Sequence, residues 1–287
     1  MIIVTGANGK LGRAVVERLL ERVPADQIGV SVRDPEKARD LEQRGVRVRR
    51  GDFDDAASLA DAFEEASRVL IVSVDHLGEV AVRQHRAAID AAKAAGAARI
   101  FYTSHAGADP ITAFPPGRDH SATEVALRDA GVAYTSLRNG FYAQTAAFLV
   151  RAALETGELR APRDGPIDYT AIPDLAEATA IALADEGLDD TTLTLTGPAA
   201  IDAAGLAAIA SELTGRPIRR VVVTDDEYRA GLVGHGVPEP QADMFLSIFV
   251  AARQGAFTRV DPTLGRLIGR PPTPVRDALQ AEISPAG

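Results

Sequence analysis

Three glycines stand three residues apart in VTGANGKLG, Val4 to Gly12, between the apolar run Ile2-Ile3-Val4 and the amphipathic stretch RAVVERLLER. A strand, a glycine turn and a helix in that order make a demanding arrangement. Glycine admits a tight turn and lets the backbone approach a ligand closely, and a helix N-terminus offers free N–H groups and a partial positive charge. A pyrophosphate fits such a loop, so the first strand leads into an expected dinucleotide site. The spacing is Gly-x-x-Gly-x-x-Gly, which differs from the usual Gly-x-Gly-x-x-Gly fingerprint. A turn that simply packs the helix closely against its strand is the plainer alternative.

From Ile2 to about Leu137, short β-branched runs alternate with longer alanine-rich stretches, the pattern of a parallel sheet wrapped by helices. The expected strands are IIVT at 2, IGVSVR at 28, VRVRR at 46, RVLIVSV at 68, RIFYTS at 99 and AYTSLR at 133. Helices are expected to open near Lys10, Pro35, Ala56, Glu79 and His120. Two of them run into a glycine just before the next strand, in AAGAARIF and RDAGVAYTSL, as left-handed caps would. Beyond Arg138 the rhythm breaks. APRDGPIDYTAIP, 161–173, reads as a crossing loop, DLAEATAIALAD as a helix and TTLTLTG as a returning strand, with helices near 202, 225 and 238 and a short terminal one after GRPPTP. The expectation is an α/β fold: a doubly wound parallel sheet of the Rossmann type over 1–158, with 172–196 returning to it, and a smaller C-terminal α/β lobe over 159–287 that takes the substrate.

Composition excludes several classes of function. The 287 residues contain no cysteine, which removes disulfides, thiol nucleophiles and cysteine-held metals. No metal site is expected. Forty acidic residues against 31 basic ones give a net charge of −9, unfavourable for nucleic acid. No apolar run reaches the roughly 20 residues of a bilayer helix, and the chain enters a strand at once without a basic leader. A cytoplasmic protein with a small-molecule substrate, neither membrane-bound nor nucleic-acid-bound, as a monomer or homodimer, is the expectation.

The second strand ends in VSVRDP. An acidic residue there would grip a ribose 2′-hydroxyl, whereas Arg33 suits a 2′-phosphate, so NADPH is the expected cofactor, with Lys10 as a second cation near the phosphates. After the third strand, RGDFDD offers Asp52 to an adenine amino group and Phe53 to its ring. Asp54 or Asp55 would in addition cap the helix from Ala56.

With these residues in view, the chain resembles the NmrA-like atypical short-chain dehydrogenases, especially type 2 NAD(P)H:quinone oxidoreductases and triphenylmethane reductases. The likeness runs over essentially the whole length, through VTGANGKLG, VRDP, GDFDD, AAKAAGAARIFYTS, LRNGFY, IPDLAEATA and LTGRPIRRVVVTDDEYRAGL. It implies a cofactor held by Gly6, Asn8, Gly9, Lys10 and Leu11, with Arg33 at the 2′-phosphate and Asp52 and Phe53 near adenine. It further implies Ser73 and Val74 after the fourth strand, Ser104 after the fifth, and Asn139 to Tyr142, including Phe141, beside the nicotinamide.

One departure bears on chemistry. The wider superfamily uses a Tyr-x-x-x-Lys pair on the helix after the fifth strand, and this chain has none. His120 takes the approximate tyrosine position and Glu124 the lysine position, one turn apart, so the carboxylate would orient the imidazole. Hydride addition to a quinone gives an aryloxide whose conjugate acid resembles a phenol, with pKa about 10. Such a product needs no strong acid, so the missing pair favours a conjugated acceptor, with His120 or Tyr142 as proton donor. His76, His85, His105 and His235 read as peripheral, although His76 and His105 follow strand ends, where they could border the pocket. Met244, Phe245 and Phe249 would wall the acceptor or form plain core. An NADP(H)-sensing regulator, or a reductase tailoring a phenolic or polyketide metabolite, remains open.

Overall fold

The computed structural model describes residues 1–188 and 192–283. The first half alternates strand and helix: β1 (Ile2–Thr5), α1 (Lys10–Leu20), β2 (Ile28–Val32), α2 (Arg39–Gln43), β3 (Arg47–Arg50), α3 (Ala56–Ala62), β4 (Arg68–Ile71), α4 (Glu79–Ala94), β5 (Arg99–His105), α5 (Pro115–Asp129) and β6 (Ala133–Asn139). The chain continues through β7 (Phe141–Tyr142), α6 (Ala143–Thr156), β8 (Glu158–Ala161), β9 (Ile167–Thr170), α7 (Ile172–Ala184), β10 (Thr192–Leu195), β11 (Ala200–Ile201) and α8 (Ala203–Thr214). It ends in β12 (Arg219–Val222), α9 (Asp225–Gly234), α10 (Glu239–Arg253), α11 (Thr263–Ile268) and α12 (Val275–Ile283).

Seven strands form one parallel sheet in the order β10-β6-β5-β4-β1-β2-β3. The order reverses between β1 and β4, which opens a crevice beyond their C-terminal ends where ligands of doubly wound sheets bind. Alternation along each strand decides what faces which helix layer. Ile2, Val4, Leu70 and Phe101 pack against α1, α7 and α11, while Ile3, Val69, Ile71, Ile100 and Tyr102 face the core under α3, α4 and α5. A third core, built from α6, α8, α10 and α12 over β8 and β9, forms the C-terminal lobe. Buried Asp174 in α7 ties the terminal GRPPTP segment down, accepting from Arg270 at 2.7 Å and the Thr273 N–H at 2.6 Å.

The sheet, the glycine caps (Gly96 at φ 77°, Gly131 at φ 70°) and the returning strand agree with the sequence. Thr191, the expected first residue of that strand, lies outside the described residues. Several boundaries differ. Pro35 opens a 3-10 turn, Pro35–Ala38, and α2 begins only at Arg39. β4 ends at Ile71, three residues short of Val74, because the next N–H groups turn to side-chain acceptors. α5 opens at Pro115, not near His120, since consecutive prolines preset the first turn. The 161–173 stretch contains β9, which pairs with β7 and β11 in a three-stranded sheet. Such two- to four-residue strands carry too little periodicity to be read in advance. No helix among the described residues is long and apolar enough to cross a membrane.

Candidate active site

The glycine turn is set by close approach. Gly6 has φ +65°, and a Cβ on Gly12 would lie 2.5 Å from the Gly6 carbonyl oxygen, so the helix can meet the turn only without a side chain there. Gly9 precedes α1 without a side-chain cap, and the first turn holds no acidic residue. The opening N–H groups of the helix and its partial positive charge are therefore open to an anion. Asn8 donates from Nδ2 to the Asp34 carbonyl at 2.8 Å, tying the turn to the end of β2. Its amide nitrogen is thus a brace for the loop.

Arg33 and Lys10 both project from this region exposed, and no carboxylate among the described residues engages either. Asp34, next to Arg33, is 3.5 Å from Lys37 instead. Two free cations at the end of β2 and the start of α1 suit a phosphorylated ribose. Asp52 lies after β3, where its Oδ1 accepts from the Asp54 N–H at 3.1 Å, and Phe53 is half-buried against the core under α3. Asp55 is the cap of α3, accepting from the Ser58 N–H at 3.2 Å.

Beyond β4, three successive N–H groups are claimed by side chains from three elements: Val72 by Thr5 at 2.9 Å, Ser73 by Thr103 at 2.8 Å and Val74 by His85 Nε2 at 3.1 Å. This segment is held open along the crevice, and Ser73 and Val74 meet a ligand only through other atoms. His85 and His105 are not peripheral. His85 is 2 % exposed and His105 part-buried, and burial pushes both down to about pKa 4, so both are neutral. Nothing in their spacing could show this, since α4 and β5 bring them beside His120 only in the fold. His105 accepts from the Gly107 N–H at 2.8 Å and lies 6.0 Å from the His120 ring, within a cage of Phe114, Phe141 and Phe257.

The expected pairing of His120 with Glu124 does not form. His120 Nδ1 is instead 2.7 Å from the Tyr102 hydroxyl. Glu124 accepts from Ser104 Oγ at 2.7 Å and from Arg138 Nε at 2.8 Å. Arg138 outcompetes a neutral imidazole for the carboxylate, because a charge-assisted, two-pronged bond is much the stronger. Burial, with His105 and His85 adding to it, holds His120 well below its ordinary pKa, so it too is neutral at pH 7. Phe141 is buried in the lobe core, 4.8 Å from the Phe257 ring, with its strand paired to β9 opposite Tyr169. Tyr142 is half-buried, with burial raising its pKa and Asn139 opposing that rise. Apart from that contact with Tyr142, the amide of buried Asn139 has no partner of ordinary hydrogen-bond geometry among the described residues, which suits the end of β6 as a place for a polar ligand group.

His120 lines a cavity of about 600 Å³ together with Val74, Asp75, Leu77, Asp119 and Met244. Met244 comes from α10, so the lobe supplies one wall. Phe249 is core, 5.0 Å from the Tyr228 ring, and Phe245 stacks on Phe148 at 5.4 Å. Among the described residues no cluster of His, Asp and Glu is gathered for a metal.

A glycine turn at the first strand of a parallel sheet, a free cation at the end of the second, and a cavity beyond the switch point define the nicotinamide-dinucleotide oxidoreductases of the doubly wound α/β class. The family model described as NAD(P)H-binding matches residues 6–186. The chain belongs to that family. It is 36 % identical over 282 residues to quinone oxidoreductase 2 of Escherichia coli K12, covering 97 % of each chain. Among solved structures it matches the NADPH complex of an E. coli NADPH-dependent quinone oxidoreductase with TM-score 0.94 and 35 % identity over 99 % of this chain and all of that one. The NADP(H) complex of Citrobacter sp. triphenylmethane reductase matches with TM-score 0.92 and 35 % identity, with the same coverage. The resemblance carried by the motifs holds over the whole length.

Proposed function

We propose that the chain is an NADPH-dependent reductase that delivers hydride to a quinone or a similarly conjugated acceptor, in the cytoplasm, as a monomer or homodimer. The observation that carries this reading is a neutral His120 on the wall of a cavity beyond the switch point, where the superfamily's Tyr-x-x-x-Lys pair is missing. The E. coli and Citrobacter relatives, both crystallised with NADPH or NADP(H), support the cofactor and the acceptor class.

Residues 1–158 and 172–196 would hold the coenzyme, and the remainder of 159–287 would cover the acceptor. The amides of Lys10 and Leu11 face the pyrophosphate over the turn that the Gly9 N–H closes on the Gly6 carbonyl at 2.9 Å, with Arg33 at the 2′-phosphate and Asp52 and Phe53 at the adenine. Ser73, Val74, Asn139 and Tyr142 border the nicotinamide. The bound coenzyme supplies the hydride. His120 then hydrogen-bonds the acceptor oxygen as it becomes an aryloxide, and water supplies the proton, because a phenol-like product with pKa about 10 is protonated without a strong acid. The lobe wall at Met244 holds the acceptor against the coenzyme, and proximity provides much of the acceleration.

NADPH oxidation, followed by its near-ultraviolet absorbance against quinones, cationic dyes and simple ketones, tests the reading. Rapid consumption with quinones and none with ketones is expected. Silence across the panel, with tight NADPH binding retained, would replace the reductase with a cofactor sensor.

A further inference from the structure

Strand alternation sends Tyr102 of β5 to the side of the sheet covered by α4 and α5, with its ring wholly buried. Its hydroxyl ends between two histidines, 2.7 Å from His120 Nδ1 and 3.4 Å from His85 Nδ1. The proton positions around it can be counted. His85 Nε2 accepts from the Val74 N–H at 3.1 Å, so in the neutral ring the proton lies on Nδ1. That N–H donates to Thr123 Oγ1 at 2.9 Å, and the Thr123 hydroxyl in turn donates to the Asp119 carbonyl at 2.9 Å. His85 therefore offers Tyr102 no lone pair. Thr123 also lies against the phenol, but its hydroxyl proton is spent on the Asp119 carbonyl and its oxygen already accepts from His85. The strongest acceptor within reach of the phenol is His120 Nδ1, and the short bond is donation to it.

We propose that Tyr102 is a positioning residue that fixes the tautomer of His120. By occupying Nδ1 as a donor it puts the ring proton on Nε2, the nitrogen that no group among the described residues engages and that is left for the cavity. His120 then meets an acceptor oxygen as a neutral hydrogen-bond donor of fixed orientation. Burial holds the Tyr102 phenol far above its ordinary value, so it stays protonated and cannot surrender its proton to the ring. The role assigned to the tautomer rests on the proposed reduction of a carbonyl acceptor; the tautomer itself does not.

Long-range proton–nitrogen spectra of the full chain labelled with ¹⁵N-histidine read the tautomer directly, with the His120 signals assigned by their loss in His120→Gln. The wild type is expected to show the Nε2–H form at His120. In Tyr102→Phe that form should give way to a mixture, and kcat with a quinone should fall about tenfold, the worth of one hydrogen bond, with KM changed far less. An Nδ1–H tautomer in the wild type overturns the proposal whether or not the variant folds. So does an unchanged tautomer in Tyr102→Phe, or a changed one with kcat intact. A tautomer that behaves as expected in a protein that reduces no acceptor supports the assignment and overturns the reductase reading alone.

Discussion

The proposed preference for NADPH turns on Arg33. Its guanidinium is exposed and free because Asp34, the one carboxylate beside it in sequence, sits near Lys37 at 3.5 Å while its carbonyl holds Asn8. An exposed cation facing a dianionic phosphate contributes modestly, about 1.4 kcal/mol or a tenfold change in affinity. Arg33→Ala should therefore raise KM for NADPH about tenfold and leave KM for NADH where it is, as steady-state kinetics with both coenzymes would reveal. An equal rise for both would mean that the residue supports the loop and does not read the phosphate. The same scale shows the limit of local reasoning. Glu124 was the natural partner for His120 at four residues' distance, yet Arg138 and Ser104 take it, and Tyr102 takes the histidine.

At the scale of elements, the seam between the large sheet and the lobe is closed by β9, where Asp168 is 1 % exposed. A Cβ on Gly140, between β6 and β7, would overlap its Oδ1, so glycine is what lets the two strands meet over this carboxyl. Burial pushes Asp168 up to about pKa 8 against bonds from Thr170 and the Gly197 N–H. A folded pKa raised above the unfolded value of about 3.9 means that the native state holds the proton more tightly than the unfolded chain. Its stabilising contribution is present below pH 4 and lost as pH rises towards 8. Asp168→Asn keeps the shape and removes that dependence, so its advantage over wild type in thermal unfolding should be small at pH 5 and larger at pH 8, growing by about 1.4 kcal/mol per pH unit at most. Equal shifts at the two pH values would show that the carboxyl ionises freely. His85 and His105, both depressed to about 4, act in the opposite sense and cost stability as pH falls from about 6.5, which the comparison of variant with wild type cancels.

For the whole molecule, the net charge of −9 reaches the cavity itself. Asp75 and Asp119 stand on its wall, and among the described residues neither lysine nor arginine lines it. A neutral acceptor should therefore bind better than a sulfonated one of the same size. The expected signature is a KM several-fold higher for the sulfonated quinone at low ionic strength, narrowing in salt as the screening length falls to about 8 Å at physiological strength. A gap that ignores salt would assign the discrimination to shape.

The amino-acid sequence alone determined the parallel sheet, the glycine turn, the arginine after β2 and the absence of the usual proton-relay pair. Each is written in neighbouring residues: a period of two or of 3.6, a spacing of three, a motif present or missing. Tertiary structure alone decided which histidine faces which partner, that His85 and His105 belong to the interior, and where a buried carboxyl could be tolerated. Those outcomes depend on residues tens of positions apart brought within 3 Å or so, where burial and competition between donors, more than adjacency, set the bonding.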